Sequence, residues 1–151
     1  MRSQAFTNEI DFETICEKWK KLWPDTDHQQ MSSMLYKGGF DMEIYEKYKP
    51  TFFGHFIGEQ LVGVNSGHRT SDDMYRSRGI WIDKSYRGLG VSTALFNMTQ
   101  QVARQEGCTM LWSIPRESAY KSYYRFGFRR TSEYFNEGMD YGPNCYVVKY
   151  I

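Results

Sequence analysis

The stretch from Gly79 to Glu106, GIWIDKSYRGLGVSTALFNMTQQVARQE, constrains the fold of this chain more than any other. Ile80-Trp81-Ile82 is a short apolar run, β-branched enough to form a buried strand. Asp83 to Tyr86 make a polar corner, and Arg87-Gly88-Leu89-Gly90 places two glycines in the next turn. From Val91 the period changes. Val91, Leu95, Met98 and Val102 recur at i, i+4, i+7 and i+11, one face of an α-helix that Gly107 can close. Strand, glycine turn and helix in that order make an anion cradle, because the first N–H groups of a helix lack internal partners and sit at the positive end of its dipole. Gly88 and Gly90 carry no Cβ, so a phosphate can approach the main chain. The stretch reads as a site for a phosphorylated cofactor.

Two familiar phosphate motifs do not fit. A nucleotide P-loop needs Lys followed by Ser or Thr after the last glycine, and no such pair is present. A dinucleotide fingerprint needs a third glycine where this chain has Thr93, and an acidic residue ending the next strand. The next apolar run, Met110 to Ile114, contains no acid. What remains is R-x-x-G-x-S, from Arg87 to Ser92, against an ordinary strand–turn–helix with convenient glycines.

The flanking sequence supplies context. Ser3 to Thr7 suits a short edge strand with Ala5 turned inward. Asn8 or Asp11 can cap a helix from about Phe12 to Leu22, which Pro24 ends. Gln29 to Tyr36 and Asp41 to Tyr48 suit two further short helices. After Pro50 the chemistry turns to β. Thr51 to Ile57 and Gln60 to Gly67 read as a hairpin about Gly58-Glu59, and Tyr75 to Ile82 as the third strand of an antiparallel meander. Cys108 to Ile114 follows a helical crossover and should lie parallel to its neighbour. A short helix, SAYKSYYRF, closes at Gly127, and Phe128 to Phe135 and Asn144 to Ile151 are the final strands.

Composition limits the function classes. At 151 residues with no linker or repeat, the chain predicts one domain spanning 1–151. A net charge of +1 offers no field for nucleic acid, even counting Arg125, Arg129, Arg130 and the nearby tyrosines. No apolar stretch reaches transmembrane length, so no membrane partner is expected. Three widely spaced cysteines without metal-type spacing predict reduced thiols, no metal site and a cytoplasmic location.

The element order, together with Arg87 to Ser92, the spacing Ala119-x-x-x-Tyr123-x-x-x-Gly127-Phe128 and the hairpin Phe56 to Gly63, resembles the GNAT superfamily of N-acyltransferases over essentially the whole chain. The resemblance implies an α/β (α+β) fold, a mixed and mostly antiparallel sheet of about seven strands with flanking helices. It implies acetyl-CoA as cosubstrate and a primary amine as acceptor, a small molecule or a peptide, and it leaves room for a homodimer. Carried over by position, the backbone of Ile80, Trp81 and Ile82 would pair with the pantetheine arm. Arg87, Gly88, Leu89, Gly90, Val91, Ser92 and Thr93 would form the pyrophosphate loop. Ser92 stands where the family usually has Gly or Ala. Arg116 stands where many members have a pantetheine-binding Asn; it has no acceptor atom and would instead pair with a CoA phosphate or a substrate carboxylate.

Tyr123 would be the acid that protonates the departing thiolate, since a phenol near pKa 10 still carries its proton where a thiol near 8.5 is forming. A core aromatic is the plainer role for Tyr123, and Tyr124 the alternative donor. The general base is open among His68, Asp73, Asp83 and water. A CoA-binding module without catalysis is the competing function.

Overall fold

The computed structural model describes residues 4–22, 49–136 and 143–151. The two helices expected within 29–48 lie outside the described residues, as does most of the loop from Asn136 to Pro143. The described elements are β1 (Ala5–Glu9), α1 (Phe12–Leu22), β2 (Thr51–Ile57), β3 (Gln60–Arg69), β4 (Met74–Ile82), α2 (Val91–Gln105), β5 (Met110–Ser113), α3 (Tyr120–Phe126), β6 (Arg129–Arg130) and β7 (Val147–Tyr150). Seven strands form one sheet in the order β1-β2-β3-β4-β5-β7-β6. Among them the β4–β5 pair is parallel and the other pairs antiparallel, as the meander and the helical crossover require. Among the described residues no helix is long and apolar enough to cross a membrane.

Helices cover both faces of the sheet. Asp11 starts α1, its Oδ1 accepting from the Thr14 N–H at 2.8 Å and from Thr14 Oγ1 at 2.6 Å. The buried stripe Ile15, Cys16 and Trp19 packs on Val64 and Trp81. Asn65, next to Val64 on β3, points the other way and donates to Thr99 of α2 at 3.0 Å. On that second face Val91 and Leu95 meet Phe53 and Val62, while Phe96 and Ala103 join Tyr75, Leu111, Tyr123 and Phe128. The three cysteines are free and buried.

Two sequence expectations need correcting. On β1, Ala5 is exposed and Thr7 is the half-buried residue, its hydroxyl 2.8 Å from His55 Nδ1. The strand expected over Phe128 to Phe135 is reduced to Arg129–Arg130. Ser132 Oγ accepts from the Tyr146 N–H at 2.9 Å, so a side chain takes a bond the ladder would have made. Thr131 still donates its N–H to the Tyr146 carbonyl at 2.9 Å, and the chain pairs again at the Phe135–Asn144 bridge.

The strand pattern does not predict the bulge in β4. Arg78 faces Ser66 and Trp81 faces Val64, so Gly79 and Ile80 together oppose Asn65. Gly79 has φ 75°, and its carbonyl accepts from Trp19 Nε1 at 2.7 Å. A Cβ there would stand 2.5 Å from the Trp19 indole. Left-handed backbone costs an L-residue about 1–2 kcal/mol, and the clash adds overpacking strain. Gly79→Ala should therefore lower the unfolding free energy by about 2 kcal/mol or more. Urea denaturation measures this, and an unchanged midpoint would mean that strand and indole relax together.

Candidate active site

The bulge and a short β5 open the sheet. The β4–β5 ladder covers only Met74 to Arg76 against Met110 to Trp112. Beyond it β4 runs on to Ile82, whereas β5 stops at Ser113, whose Oγ donates to the Ser77 carbonyl at 2.6 Å. The divergence leaves a cavity of about 620 Å³, bounded by β4, the turn into α2, the β5 exit and α3.

The turn into α2 is built as the sequence implies. Asp83 accepts from the Ser85 N–H at 2.9 Å and caps a single 3-10 turn, Lys84–Tyr86. Arg87 Nε then donates to the Ile82 carbonyl at 3.3 Å, tying the loop back to the strand end. Gly88 and Gly90 have φ 78° and 81°, and nothing stands within 4 Å of where a Cβ would be. Gly90 is the N-cap of α2 and provides no side-chain cap for the N–H groups that follow. A Cβ would fill the cradle, and no neighbouring side chain does. These features fit a pyrophosphate, which would accept from the first-turn N–H groups of α2.

Of the residues that the sequence marked for the cofactor, Ile80, Trp81, Ile82, Arg87, Gly88, Gly90, Val91, Ser92, Thr93 and Arg116 line the cavity. Leu89 does not; its side chain is 67% exposed. Arg116 also reaches the end of α1, donating to the Leu22 carbonyl at 3.3 Å. That contact ties the cavity wall to the first helix.

Tyr123 lines the cavity, whereas Tyr124 is half exposed and does not. The Arg129 guanidinium lies over the Tyr124 ring at 4.1 Å. The Tyr123 ring is held by Phe96 and Phe128, with centroids 4.8 and 5.2 Å away. Its hydroxyl lies 3.4 Å from Ser113 Oγ. Ser113 Oγ is the donor side of that long contact, and it gives its proton to the Ser77 carbonyl at the shorter 2.6 Å. Tyr123 is a core aromatic that also lines the cavity.

A family model described as the acetyltransferase (GNAT) family matches residues 12–128. The chain belongs to the GNAT acetyltransferase family. Solved structures agree on the fold. An IAA acetyltransferase from Bacillus cereus is 15% identical with a TM-score of 0.73, over 98% of this chain and 100% of that one. Ard1 from Thermoplasma volcanium is 16% identical with a TM-score of 0.72, over 97% of each chain. An aminoglycoside 6'-N-acetyltransferase complexed with coenzyme A is 12% identical with a TM-score of 0.73, over 96% of each chain. A search of curated protein sequences returns no match.

The GNAT cavity of this chain has an arginine-lined wall. Arg76, Arg78, Arg87, Arg116 and Arg125 line it, and among the described residues no Asp, Glu or His does. The three side chains considered as general base therefore stand elsewhere. Asp83 serves its 3-10 turn, and Asp73 accepts from Ser71 Oγ at 3.0 Å in the β3–β4 turn. His68 is fully buried opposite Arg76. Burial first, then the positive charges of Arg76 and Arg78, push its pKa down to about 3. Such an imidazole is too weak a base for an alkylammonium near 10.4.

That depression has a stability consequence. Between the unfolded value of 6.5 and about 3, the unfolded chain binds a proton at His68 that the folded chain does not. This contribution is fully present above pH 6.5 and falls as the pH drops, by up to about 1.4 kcal/mol per unit. His68→Gln should flatten the acid limb of unfolding free energy against pH. Denaturant titrations from pH 7 to 4.5 check it; parallel limbs for native and variant would show that His68 protonates within the fold.

Arg125, Ser118 and Ser122 also line the cavity and were not assigned there by sequence. Their signal was available. Ser118, Ser122 and Arg125 recur at i, i+4 and i+7, a polar stripe beside the stripe carrying Ala119 and Tyr123.

Proposed function

We propose that the chain works as one acyltransferase unit that moves an acetyl group from acetyl-CoA to a primary amine, by direct attack in a ternary complex. One observation carries this reading. A single cavity joins the glycine cradle at the start of α2 to Tyr123, through the gap where β4 and β5 part. Bound acetyl-CoA supplies an activated acyl group as a thioester. The first-turn N–H groups of α2 would hold its pyrophosphate, with Arg87 and Arg125 adding charge. The freed length of β4 from Ile80 to Ile82 would carry the pantetheine arm.

The protons can be followed through the transfer. As the N–C bond forms and the C–S bond breaks, the amine gives up a proton and the sulfur takes one. Tyr123 Oη, on the cavity-lining Tyr123, would provide the second. With no carboxylate or imidazole among the described cavity residues, the first goes to water. Holding both reactants in one cleft provides the proximity on which such a transfer depends.

The test is a thiol-release assay with acetyl-CoA against a panel of amines, run beside calorimetry for CoA. Release that depends on amine, with saturable CoA binding, is the expected result; absence of CoA binding would sink the reading. The base-free wall also suits a second reading, a CoA-binding module without catalysis. For that one, calorimetry gives binding while every amine leaves the thiol signal at background.

A further inference from the structure

The β5 exit parts from one neighbour and keeps the other. β5 lies between β4 and β7 in the sheet, and its ladder with β4 ends at Arg76 and Trp112. On the β7 side the pairing goes further. The register that runs from Met110↔Tyr150 to Ser113↔Val147 stays in step as far as the Arg116↔Asn144 bridge. The Cys145 N–H donates to the Pro115 carbonyl at 3.2 Å, and the Glu117 N–H to the Pro143 carbonyl at 2.9 Å. Ile114, Pro115 and Arg116, which line the cavity, therefore follow the lead-in to β7 after β4 has parted from them.

Pro115 weakens this join. It has no N–H, so the Pro115–Cys145 pair lacks one of the two ladder bonds that an ordinary hydrogen-bonded pair exchanges. Asn144 supplies a further tie from its side chain, Nδ2 donating to the Ile114 carbonyl at 3.1 Å. The donor is itself anchored. Asn144 is fully buried, and its N–H and carbonyl exchange bonds with those of Phe135 at 2.8 Å each. Packing does not account for an amide here, because Oδ1 has no hydrogen-bond partner among the described residues and is costly to bury in that state. The bond to Ile114 does account for it.

We infer that Asn144 is a positioning residue of the cofactor cleft, holding the wall at residues 114–116 to β7 so that β4 and β5 stay parted. This rests on the acyltransferase reading above and adds the device that keeps the cleft open before the cofactor arrives. Without the tie, the wall is free to close toward the stretch of β4 beyond Gly79. A closed molecule must reopen before CoA enters, so apparent affinity falls with the open fraction. Asn144 is not among the residues that line the cavity, so its effect reaches the cofactor through the wall.

Asn144→Leu is the deciding variant. Leucine keeps the branched shape and removes the donor. It exchanges one unpartnered acceptor, Oδ1, for another, the Ile114 carbonyl, so the melting temperature should change little. CoA affinity, measured by calorimetry, should fall about tenfold. The KM for acetyl-CoA should rise in step, with kcat at saturation within about twofold of the native value. A side chain that only supports the fold would not divide KM from kcat in this way.

Native CoA affinity in a folded Asn144→Leu would overturn the inference while leaving acyl transfer standing. So would an affinity and a melting temperature that fall together, since Asn144 would then serve the fold as a whole. Hydrogen exchange on the native chain without CoA is decisive even where the variant does not fold. The N–H groups of Cys145 and Glu117 should exchange as slowly as those of the β5–β7 ladder. Fast exchange there would show a wall that forms only with the cofactor, and would overturn the inference. A native chain that binds no CoA would overturn the acyltransferase reading itself, a result read before any variant is made.

Discussion

Tyr123→Phe should lower kcat by about 10²–10⁴ while CoA affinity stays nearly constant. The change removes one oxygen and keeps the ring. Packing against Phe96 and Phe128 is therefore retained, and the Ser113 hydroxyl keeps its bond to Ser77 O. What is lost is the proton that Tyr123 Oη can provide as charge develops on a departing sulfur. That contact matters in the transition state and little in the ground state, so the loss belongs in kcat. The 3.4 Å contact with Ser113 Oγ is long, so its loss alone should cost little thermal stability. Tyr124→Phe is the control, since its ring is half exposed and carries the Arg129 guanidinium outside the cavity. An unchanged kcat with chemistry rate-limiting would reduce Tyr123 to a core aromatic. A larger loss at Tyr124 would move the acid to the next residue.

How much of this site the sequence made legible depends on the range of the interactions. The period change at Val91, the glycines of the turn and the hairpin at Gly58 act within a few residues, and these elements appear where the pattern puts them. The Gly79 bulge meets the indole of Trp19, which donates to it from 60 positions away in sequence. Only an unexplained glycine inside a strand pattern marked it. His68 carried a similar ambiguity. Its letter is that of a base, but the Arg76 and Arg78 beside it became neighbours through strand register. Leu89 shows the limit of motif spacing, since backbone and side chain of one loop residue can face different surroundings.

Thr93→Asp should act in opposite directions on the free protein and on its cofactor complex. Thr93 is exposed in the first turn of α2, where Gly90 leaves the N–H groups without a side-chain cap. A carboxylate there favours the helix dipole and should stabilise the free protein by about 0.3–1 kcal/mol. The same carboxylate would stand beside the phosphates that the cradle is proposed to hold. At about 5 Å and partial screening each like-charge pair costs about 1–2 kcal/mol, so a pyrophosphate should bind roughly a hundredfold more weakly. Gly90→Val would be a poorer test. With φ 81° at Gly90, a β-branched residue strains the turn whether or not a ligand binds there. Melting temperature without ligand and calorimetry with CoA separate the two effects of Thr93→Asp. A higher melting temperature with unaltered CoA affinity would place the phosphates away from α2. A lower melting temperature with weaker binding would mean only that the turn was damaged, and the cradle would then lose its support from this variant. The opposed signs are what tie the anion to the helix start, because general damage to the fold cannot raise stability while lowering affinity.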